Sequence, residues 1–370
     1  MQNDIQNENL QENKNPYSKV KAELVRKTER TKTRLKKEIN RAVKKISRKR
    51  SRKIKYIIAI SIVALYALFS LVITLNEKFF KIEAIPEWHE LYEMSGFSSS
   101  AYKGVHGDVA VHFIDVEQGD CALIIAGDYT VLIDAGEISE KSTVITYLRS
   151  LDIEHLDMVI ASHPHSDHIG SLGAVIDKYG TDVLLMPDVS EEMTPITSSY
   201  ENMIEASDKC GADIRFAAIG DVYTLMEGCT LEIIAPVKDY EDHNNYSIVC
   251  RLSYGENEFL FTGDIEELAE RDIVDSGADI SADVIKVAHH GSNTSSLKVF
   301  MQAVDPDYAL ISVGSLNDYG HPHDETLELL DLLDIKVYRT DLNGDVVMFT
   351  DGKEITVVTQ KDRGEKIADS

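Results

Sequence analysis

Three histidines and an aspartate lie within six positions of one short segment, SHPHSDHIGS, residues 162–171. His163 and His165 are two residues apart and can project to the same side, while Asp167 and His168 follow one turn later. Two imidazole nitrogens can hold one metal ion, and the carboxylate with the next imidazole can hold a second. Chance rarely produces such a cluster in a chain with 12 histidines in 370 residues, so the segment predicts a metal centre.

Three further segments carry side chains that a dinuclear centre needs. Such a centre requires a carboxylate between its two ions and enough ligands to bring each ion to four or five coordination. FLFTGD ends an apolar run with Asp264, VIKVAHHGS ends another with His289 and His290, and NDYGHPH contains His321 and His323. Because these groups follow apolar, strand-like runs, we expect them to converge on one site.

Strand-like and helix-like segments alternate around these residues. The apolar run LDMVIA precedes the first histidines and a helix-like stretch begins near Ile169, which places the cluster in a loop at the carboxyl end of a strand. From Gly107, three short β-rich runs are typical of an antiparallel meander. Helix-like and strand-like stretches then alternate, among them a strand-like run over 283–288. This order predicts a mixed α/β layered domain over residues 107–360.

Charge divides the chain into two contrasting parts. Residues 1–55 carry 19 basic and 6 acidic side chains, a net charge of +13, and are predicted to form a basic arm. The other 315 residues carry 19 basic and 57 acidic side chains, a net charge of −38. Residues 76–106 lack clear periodicity and are interpreted as a linker, and residues 361–370 as a tail. The two parts should face different surroundings.

An uncharged run separates the basic arm from the linker. Residues 56–75, YIIAISIVALYALFSLVITL, have about the length that crosses a ~30 Å hydrocarbon core as a helix. A buried core helix would show a polar face, which this run lacks. A signal peptide is not expected either, because more than fifty residues precede the apolar run. The basic segment KKISRKRSRKIK lies just before the run. The positive-inside rule therefore predicts a single-pass protein of the cell membrane with a cytoplasmic N-terminus and an extracytoplasmic domain.

Taken together, HPHSDH, FTGD and KVAHHGS resemble the metallo-β-lactamase fold, in the branch found as the hydrolase-like domain of ComEC-type DNA-uptake proteins. That branch also carries FLDVGQGD, LIDAG, NNxS and YGHP, whose counterparts here are FIDVEQGD, LIDAGE, HNNYSIV and DYGHPH. The resemblance covers about residues 108–350. It implies a four-layer αββα sandwich, here preceded by one transmembrane helix. The many-pass channel portion has no counterpart, so a complete DNA-uptake channel is not expected.

The resemblance also implies a ligand set. His163 and His165 would bind one ion, Asp167 and His168 the other, and Asp264 would bridge them. The resemblance places a histidine of the HHGS pair and the histidine of the YGHP loop in the remaining positions.

Which histidine of the HHGS pair binds metal stays open. Alternation along a strand would point His289 and His290 to opposite faces, so one would be a ligand and the other would support a ligand or act in acid–base catalysis. We assign His289 and His321 as ligands, and Asp167 and His290 as catalytic candidates.

Further residues of FIDVEQGD bear on the same site. Asp115 and Asp120 resemble residues that orient metal ligands in this branch. Glu117 stands where the branch usually has glycine. If that glycine needs a positive φ, Glu117 must strain or reshape the loop.

The resemblance implies a hydrolase with two divalent metal ions and no nucleotide cofactor. Metal-bound water of lowered pKa attacks a substrate without an activated serine or cysteine, which suits a phosphodiester or an activated acyl bond. Zinc is the default for mixed histidine and aspartate ligands, and manganese is the competitor because carboxylate-rich sites accept it.

The charge of the chain bears on the substrate. A net charge of −38 repels a polyanion over a Debye length of about 8 to 10 Å, whereas nucleases grip phosphates with lysine and arginine. We therefore expect a small or cell-wall-linked phosphodiester ahead of nucleic acid. One alternative is a non-catalytic module that binds metal or a partner, as in DNA uptake, and another is a lactonase or lactamase.

Overall fold

The computed structural model describes residues 107–361, together with scattered helical residues between 26 and 41 and between 61 and 72. The chain divides into two units, Met1–Trp88 and His89–Ser370. Across the described parts of the chain, no helix is long and apolar enough to cross a membrane. Most of the predicted arm, span and tail, and the whole of the predicted linker, lie outside the described residues.

The first sheet contains eight strands of the segment 107–361. They are β1 (Val109–Phe113), β2 (Ala122–Ala126), β3 (Tyr129–Ile133), β4 (Leu156–Ile160), β5 (Thr181–Pro187), β6 (Asp213–Ala217), β14 (Val346–Thr350) and β15 (Ile355–Thr359). Their order is β15-β14-β1-β2-β3-β4-β5-β6. The strands from β3 to β6 are parallel, and the other pairs are antiparallel, including the predicted meander β1-β2-β3.

The second sheet contains seven strands of the same segment. They are β7 (Val222–Met226), β8 (Cys229–Ala235), β9 (Val249–Tyr254), β10 (Asn257–Phe261), β11 (Val284–Lys286), β12 (Tyr308–Ile311) and β13 (Lys336–Arg339). Their order is β13-β12-β11-β10-β9-β8-β7. The strands from β10 to β13 are parallel, and β7 to β10 form an antiparallel meander.

Helices cover the outer faces of both sheets. They are α1 (Lys141–Ser150), α2 (Ser166–Ile169), α3 (Leu172–Tyr179), α4 (Ser198–Cys210), α5 (Glu267–Ser276), α6 (Lys298–Val304), α7 (Asp324–Leu332) and α8 (Thr340–Asn343). Buried side chains of α1, α3 and α4 pack on the first sheet, and those of α5, α6 and α7 pack on the second.

Alternation along the strands produces the layers. Val111 and Phe113 of β1 pack between the two sheets, whereas Ala110 faces the helices. Phe259 of β10 likewise packs between the sheets, and Leu260 faces the helices of the second sheet. Both faces of these strands are buried, which explains their nearly continuous apolar sequences. The layers follow the order αββα, as the family resemblance implies.

Strand direction brings the carboxyl ends of several strands to common edges. In the first sheet β1, β3 and β4 run in the same direction, and in the second β10, β11 and β12 do so. Loops that follow parallel strands meet at one edge, where α/β folds place their functional groups.

Candidate metal centre

A compact group of two carboxylates and two imidazoles lies where the loops from the two sheets meet. Asp264, after β10, has Oδ2 at 3.2 Å from His168 Nε2 and 3.5 Å from His290 Nε2. The same His290 nitrogen lies 3.3 Å from Asp167 Oδ2. One ligand atom from each of the four residues lies within 4.8 Å of all the others. This spacing suits a shared cation.

Unpaired polar atoms show that these residues fit a metal ion. Within the described part of the chain, Asp264 Oδ1, His168 Nε2 and His290 Nε2 are buried and make no hydrogen bond, although carboxylate oxygens lie 3.2 to 3.5 Å from the two imidazole nitrogens. Buried polar atoms without partners are costly and rare in folded proteins. Imidazole nitrogens and carboxylate oxygens are suitable ligands for zinc and manganese. A divalent ion would satisfy all three atoms.

His163 and His165 approach the same carboxylate from the loop after β4. His163 Nε2 lies 4.0 Å from Asp264 Oδ2 and 3.1 Å from His165 Nδ1. His163 is fully buried, whereas His165 is exposed. His163 therefore lies beside Asp264, and the exposed His165 contacts His163.

The HHGS pair follows a strand that ends earlier than the sequence predicts. β11 stops at Lys286, and both His289 and His290 have positive φ angles, 51° and 54°. Strand alternation therefore does not decide where their side chains point. This conformation is costly for residues with a Cβ atom and persists where the surroundings enforce it.

The two histidines of the pair have different surroundings. His290 is buried, and its Nδ1–H donates to Ser312 O at 2.9 Å, which leaves Nε2 free to bind an ion. The His289 side chain is 22% exposed, with Nε2 4.0 Å from Asp264 Oδ2 and Nδ1 3.3 Å from Glu266 Oε1. His290 thus lies among the carboxylates and His289 at the rim of the site.

His321 lies at the same rim on a loop braced by Asn317. Its ring centre is 5.5 Å from that of His289, and its Nδ1 has no partner among the described residues. Asn317 accepts a hydrogen bond from the His321 N–H and donates to its carbonyl oxygen. His323 points elsewhere, since its Nδ1 accepts from the N–H of Asn293.

Sequence reasoning missed Asp134, which holds His168 in place. Asp134 Oδ2 accepts from His168 Nδ1–H at 2.8 Å, and Ser162 donates to the same carboxylate from both N–H and Oγ. Asp134 follows β3 in LIDAGE, so its position at a strand end was the signal available in the sequence.

Two aspartates of FIDVEQGD have different surroundings: Asp120 lies at the centre and Asp115 in the loop beside it. Asp120 contacts the centre, with Oδ1 3.3 Å from His290 Nδ1 and Oδ2 in contact with the Lys286 ammonium group. Asp115 instead shapes the loop, because its Oδ1 accepts from the N–H of Glu117. Glu117 has φ +55°, the left-handed conformation that glycine adopts without strain.

The electrostatics of the centre favour cations. Burial opposes the ionised form of Asp264, but His168 and His290 lower its pKa well below the usual range. Burial opposes protonation of His168, but the carboxylates of Asp264, Asp134 and Asp120 raise its pKa well above the usual range. Burial likewise opposes protonation of His290, whose pKa the carboxylates of Asp264 and Asp120 raise to about 9. The Asp264 carboxylate is therefore ionised and can bind positive charge.

Comparison with known families agrees with this geometry. A family model described as the metallo-beta-lactamase superfamily matches residues 114–315, which is more than half of the chain. The chain belongs to this superfamily. Membership confirms the predicted class of enzyme, a metal-dependent hydrolase.

Curated relatives support the ComEC-like branch of the metallo-beta-lactamase superfamily. The chain is 31% identical to ComE operon protein 3 of Bacillus subtilis over 267 residues, 66% of this chain and 33% of that protein. It is 30% identical to competence protein ComA of Neisseria gonorrhoeae over 257 residues, 68% of this chain and 34% of that protein. The chain thus spans about a third of the length of these relatives.

A more distant relative carries an enzyme name. The chain is 28% identical to exodeoxyribonuclease WalJ of Streptococcus pneumoniae over 107 residues, 29% of this chain and 39% of that protein. Among solved structures, the chain is similar to the metallo-beta-lactamase fold protein YhfI from Bacillus subtilis, with 16% identity and a TM-score of 0.41. That match covers 62% of this chain and 95% of YhfI.

Proposed function

We propose that the domain is a dinuclear metal-dependent phosphodiesterase. The observation that carries the proposal is the cluster of Asp167, His168, Asp264 and His290, in which three buried atoms lack hydrogen-bond partners: Asp264 Oδ1, His168 Nε2 and His290 Nε2. Two divalent ions bound there would lower the pKa of water toward neutrality and stabilise the charge of an in-line displacement. Zinc is our first candidate because the ligands mix imidazoles with carboxylates, and manganese is the second.

The proposed ligands are those that the family resemblance implies, and the short distances from Asp264 to His163 and His168 support them. Asp264 would bridge the ions, with His163 and His165 as ligands of one ion and Asp167 and His168 as ligands of the other. His290 would complete the second group, since it is buried against Asp167 and Asp264. His321 would close the site at its rim.

His289 takes the role of acid–base candidate in this proposal, which exchanges the two roles first assigned within the HHGS pair. Its partly exposed ring lies beside Glu266 and faces the solvent side of the centre. A proton donor for the leaving group needs access to substrate and a carboxylate partner that orients the ring.

The substrate we favour is a small or cell-wall-linked phosphodiester. Loops around the centre carry acidic side chains, among them Glu117, Glu137 and Glu266, and the sequence of the segment 162–171 contains no lysine or arginine. A nucleic acid needs cationic contacts to its phosphates. Nucleic acid is the second candidate, because the relative WalJ is named an exodeoxyribonuclease.

We also propose that residues 56–75 anchor the chain in the cell membrane with the domain on the extracytoplasmic side. The uncharged run and the basic segment before it support this proposal. Fractionation of cells that express the full chain tests it. The proposal expects the protein in the membrane pellet after carbonate washing and expects added protease to degrade the domain in spheroplasts. Release by carbonate would contradict it.

Metal content and turnover measured on one sample of the full chain test the hydrolase. The proposal expects about two ions per chain by mass spectrometry and turnover of bis-p-nitrophenyl phosphate after zinc or manganese addition. Asp167→Ala and Asp264→Ala should lose metal and turnover, whereas Asp208→Ala, an exposed carboxylate of α4, should keep both.

Two other outcomes would replace this proposal. Bound metal in a folded protein without turnover of any ester would favour a binding module. Opening of lactones or β-lactams without phosphodiester cleavage would favour the lactonase or lactamase alternative.

A further inference from the structure

Lys286 is buried between the two sheets. It is the last residue of β11, and Val284, two residues earlier on the same face, packs in the core between the sheets. The Lys286 side chain is only 4% exposed, and no other lysine or arginine of residues 107–361 is buried. A buried ammonium group is costly unless it is paired and hydrogen-bonded.

The partner of Lys286 is Asp120, and through it the lysine reaches the metal centre. Lys286 Nζ contacts Asp120 Oδ2, donates to Gly263 O at 3.4 Å and lies 4.0 Å from Asp264 Oδ1. The two oxygens of Asp120 lie 3.3 Å from His290 Nδ1 and 3.8 Å from His168 Nδ1. One ion pair therefore borders two proposed ligands.

Lys286 changes the net charge of the metal centre. Asp120, Asp134, Asp167 and Asp264 contribute four negative charges, and Lys286 contributes one positive charge. Two divalent ions would therefore leave a net charge of +1 when the bound water and the ligand imidazoles are neutral. Without the lysine the loaded centre would be neutral. Glu266 is partly exposed at the rim, where solvent screens its charge.

We propose that Lys286 supplies the charge that makes the loaded centre bind an anion, and that it does so while holding Asp120 beside His290 and His168. This inference rests on the proposed dinuclear hydrolase and specifies its substrate as anionic, as a phosphodiester is. Lys286 is a positioning residue, because it acts through Asp120 and through its charge and does not touch the substrate.

Two substitutions distinguish an effect of charge on phosphate binding from an effect of a lost structural contact. Both break the same ion pair, but they change the net charge in opposite directions. Lys286→Met removes a positive charge, and Asp120→Asn removes a negative one. The probe is inorganic phosphate, titrated by calorimetry into the zinc-loaded full chain, with bound zinc counted by mass spectrometry. We expect Lys286→Met to keep its zinc and to bind phosphate about tenfold or more weakly. Asp120→Asn should bind phosphate at least as tightly as the wild type.

Lys286→Arg and the double variant Lys286→Met with Asp120→Asn are the controls. Both keep the wild-type net charge of the centre and should bind phosphate within a few-fold of the wild type. Equal losses of affinity in Lys286→Met and Asp120→Asn would show a merely structural ion pair and overturn the inference. If Lys286→Met does not fold, weakened phosphate binding by Asp120→Asn overturns it. A wild-type chain that binds no metal would overturn the proposed function itself.

Discussion

Single residues of this domain position the ligands through short hydrogen bonds. Asp134 receives three of them, two from Ser162 and one from His168 Nδ1–H, so the His168 ring is held with Nε2 toward Asp264. A carboxylate behind a ligating histidine fixes its tautomer and orientation. The geometry of the centre therefore depends on residues outside the proposed ligand set as well.

Asp134→Asn should lower metal affinity and turnover by roughly 10- to 100-fold, because the amide weakens the bond that orients His168. Zinc titration and phosphodiesterase assays measure the two effects. Asp157→Asn is the matched control, since Asp157 accepts from Thr130 on the neighbouring strand and should affect stability alone. Equal zinc affinity in Asp134→Asn and the wild type would contradict the assigned role.

Glu117→Gly should raise the free energy of unfolding by about 1 kcal/mol. Glu117 has φ +55°, and a residue with a Cβ atom pays roughly 1 to 2 kcal/mol in that conformation. Glycine relieves this strain, but the larger conformational entropy of the unfolded chain offsets part of the gain in stability. Urea denaturation measures the change. Glu117→Gln keeps the Cβ atom and removes the charge, so a gain of the same size there would point to electrostatics.

At the scale of elements, capping and strand ends decide where side chains point. Thr197 caps the start of helix α4, since its side chain accepts from the N–H of Tyr200, and Gly211 with φ +80° follows the last residue of the helix. The end of β11 at Lys286 releases His289 and His290 from the alternation of a strand. Local backbone geometry thus sorts the HHGS pair into a buried and a partly exposed histidine.

Gly211→Ala should lower the free energy of unfolding by about 1 kcal/mol and leave turnover unchanged. A Cβ atom at this position would meet nothing within 4 Å, so the cost is conformational only. Thermal and urea unfolding measure the loss. Gly211→Asn should lose less, because asparagine tolerates the left-handed region better than alanine. The same loss in both variants would indicate a cause other than φ.

At the scale of the whole domain, the centre joins the two sheets. His163 and His168 follow β4 of the first sheet, whereas Asp264 and His290 follow β10 and β11 of the second. A metal ion held by both groups would link layers that otherwise meet through apolar packing. Without it, the buried Asp264 carboxylate depends on His168 and His290 for compensating positive charge.

Removal of metal should therefore lower the stability of the whole domain. A ligand that binds only the folded state at 100 times its dissociation constant adds about 2.7 kcal/mol. Calorimetric unfolding with zinc and with EDTA should show a loss of this order. Asp264→Ala should not respond to EDTA, whereas Asp208→Ala should respond as the wild type does. An unchanged melting temperature in EDTA would contradict the link between the sheets.

Much of the fold and the site was predictable because short-range patterns determine them. Alternating and continuous apolar runs marked the strands, and HPHSDH and FTGD marked strand ends that carry proposed ligand side chains. The roles of Asp134 and Lys286 were not predictable. Each is a single polar residue at or near the end of an apolar run, and only a long-range contact shows its partner.

The sequence alone determined the layered α/β class, the superfamily and the residues that gather at the centre. Only the tertiary structure decided that His290 is buried against Asp264 while His289 stays at the rim, and that Lys286 pairs with Asp120. Periodicity and motifs are properties of neighbouring residues, so they can be read along the chain. Burial and ion pairing depend on how the two sheets pack together. Asp120 and Lys286 are 166 positions apart in sequence and come into contact only in the folded domain.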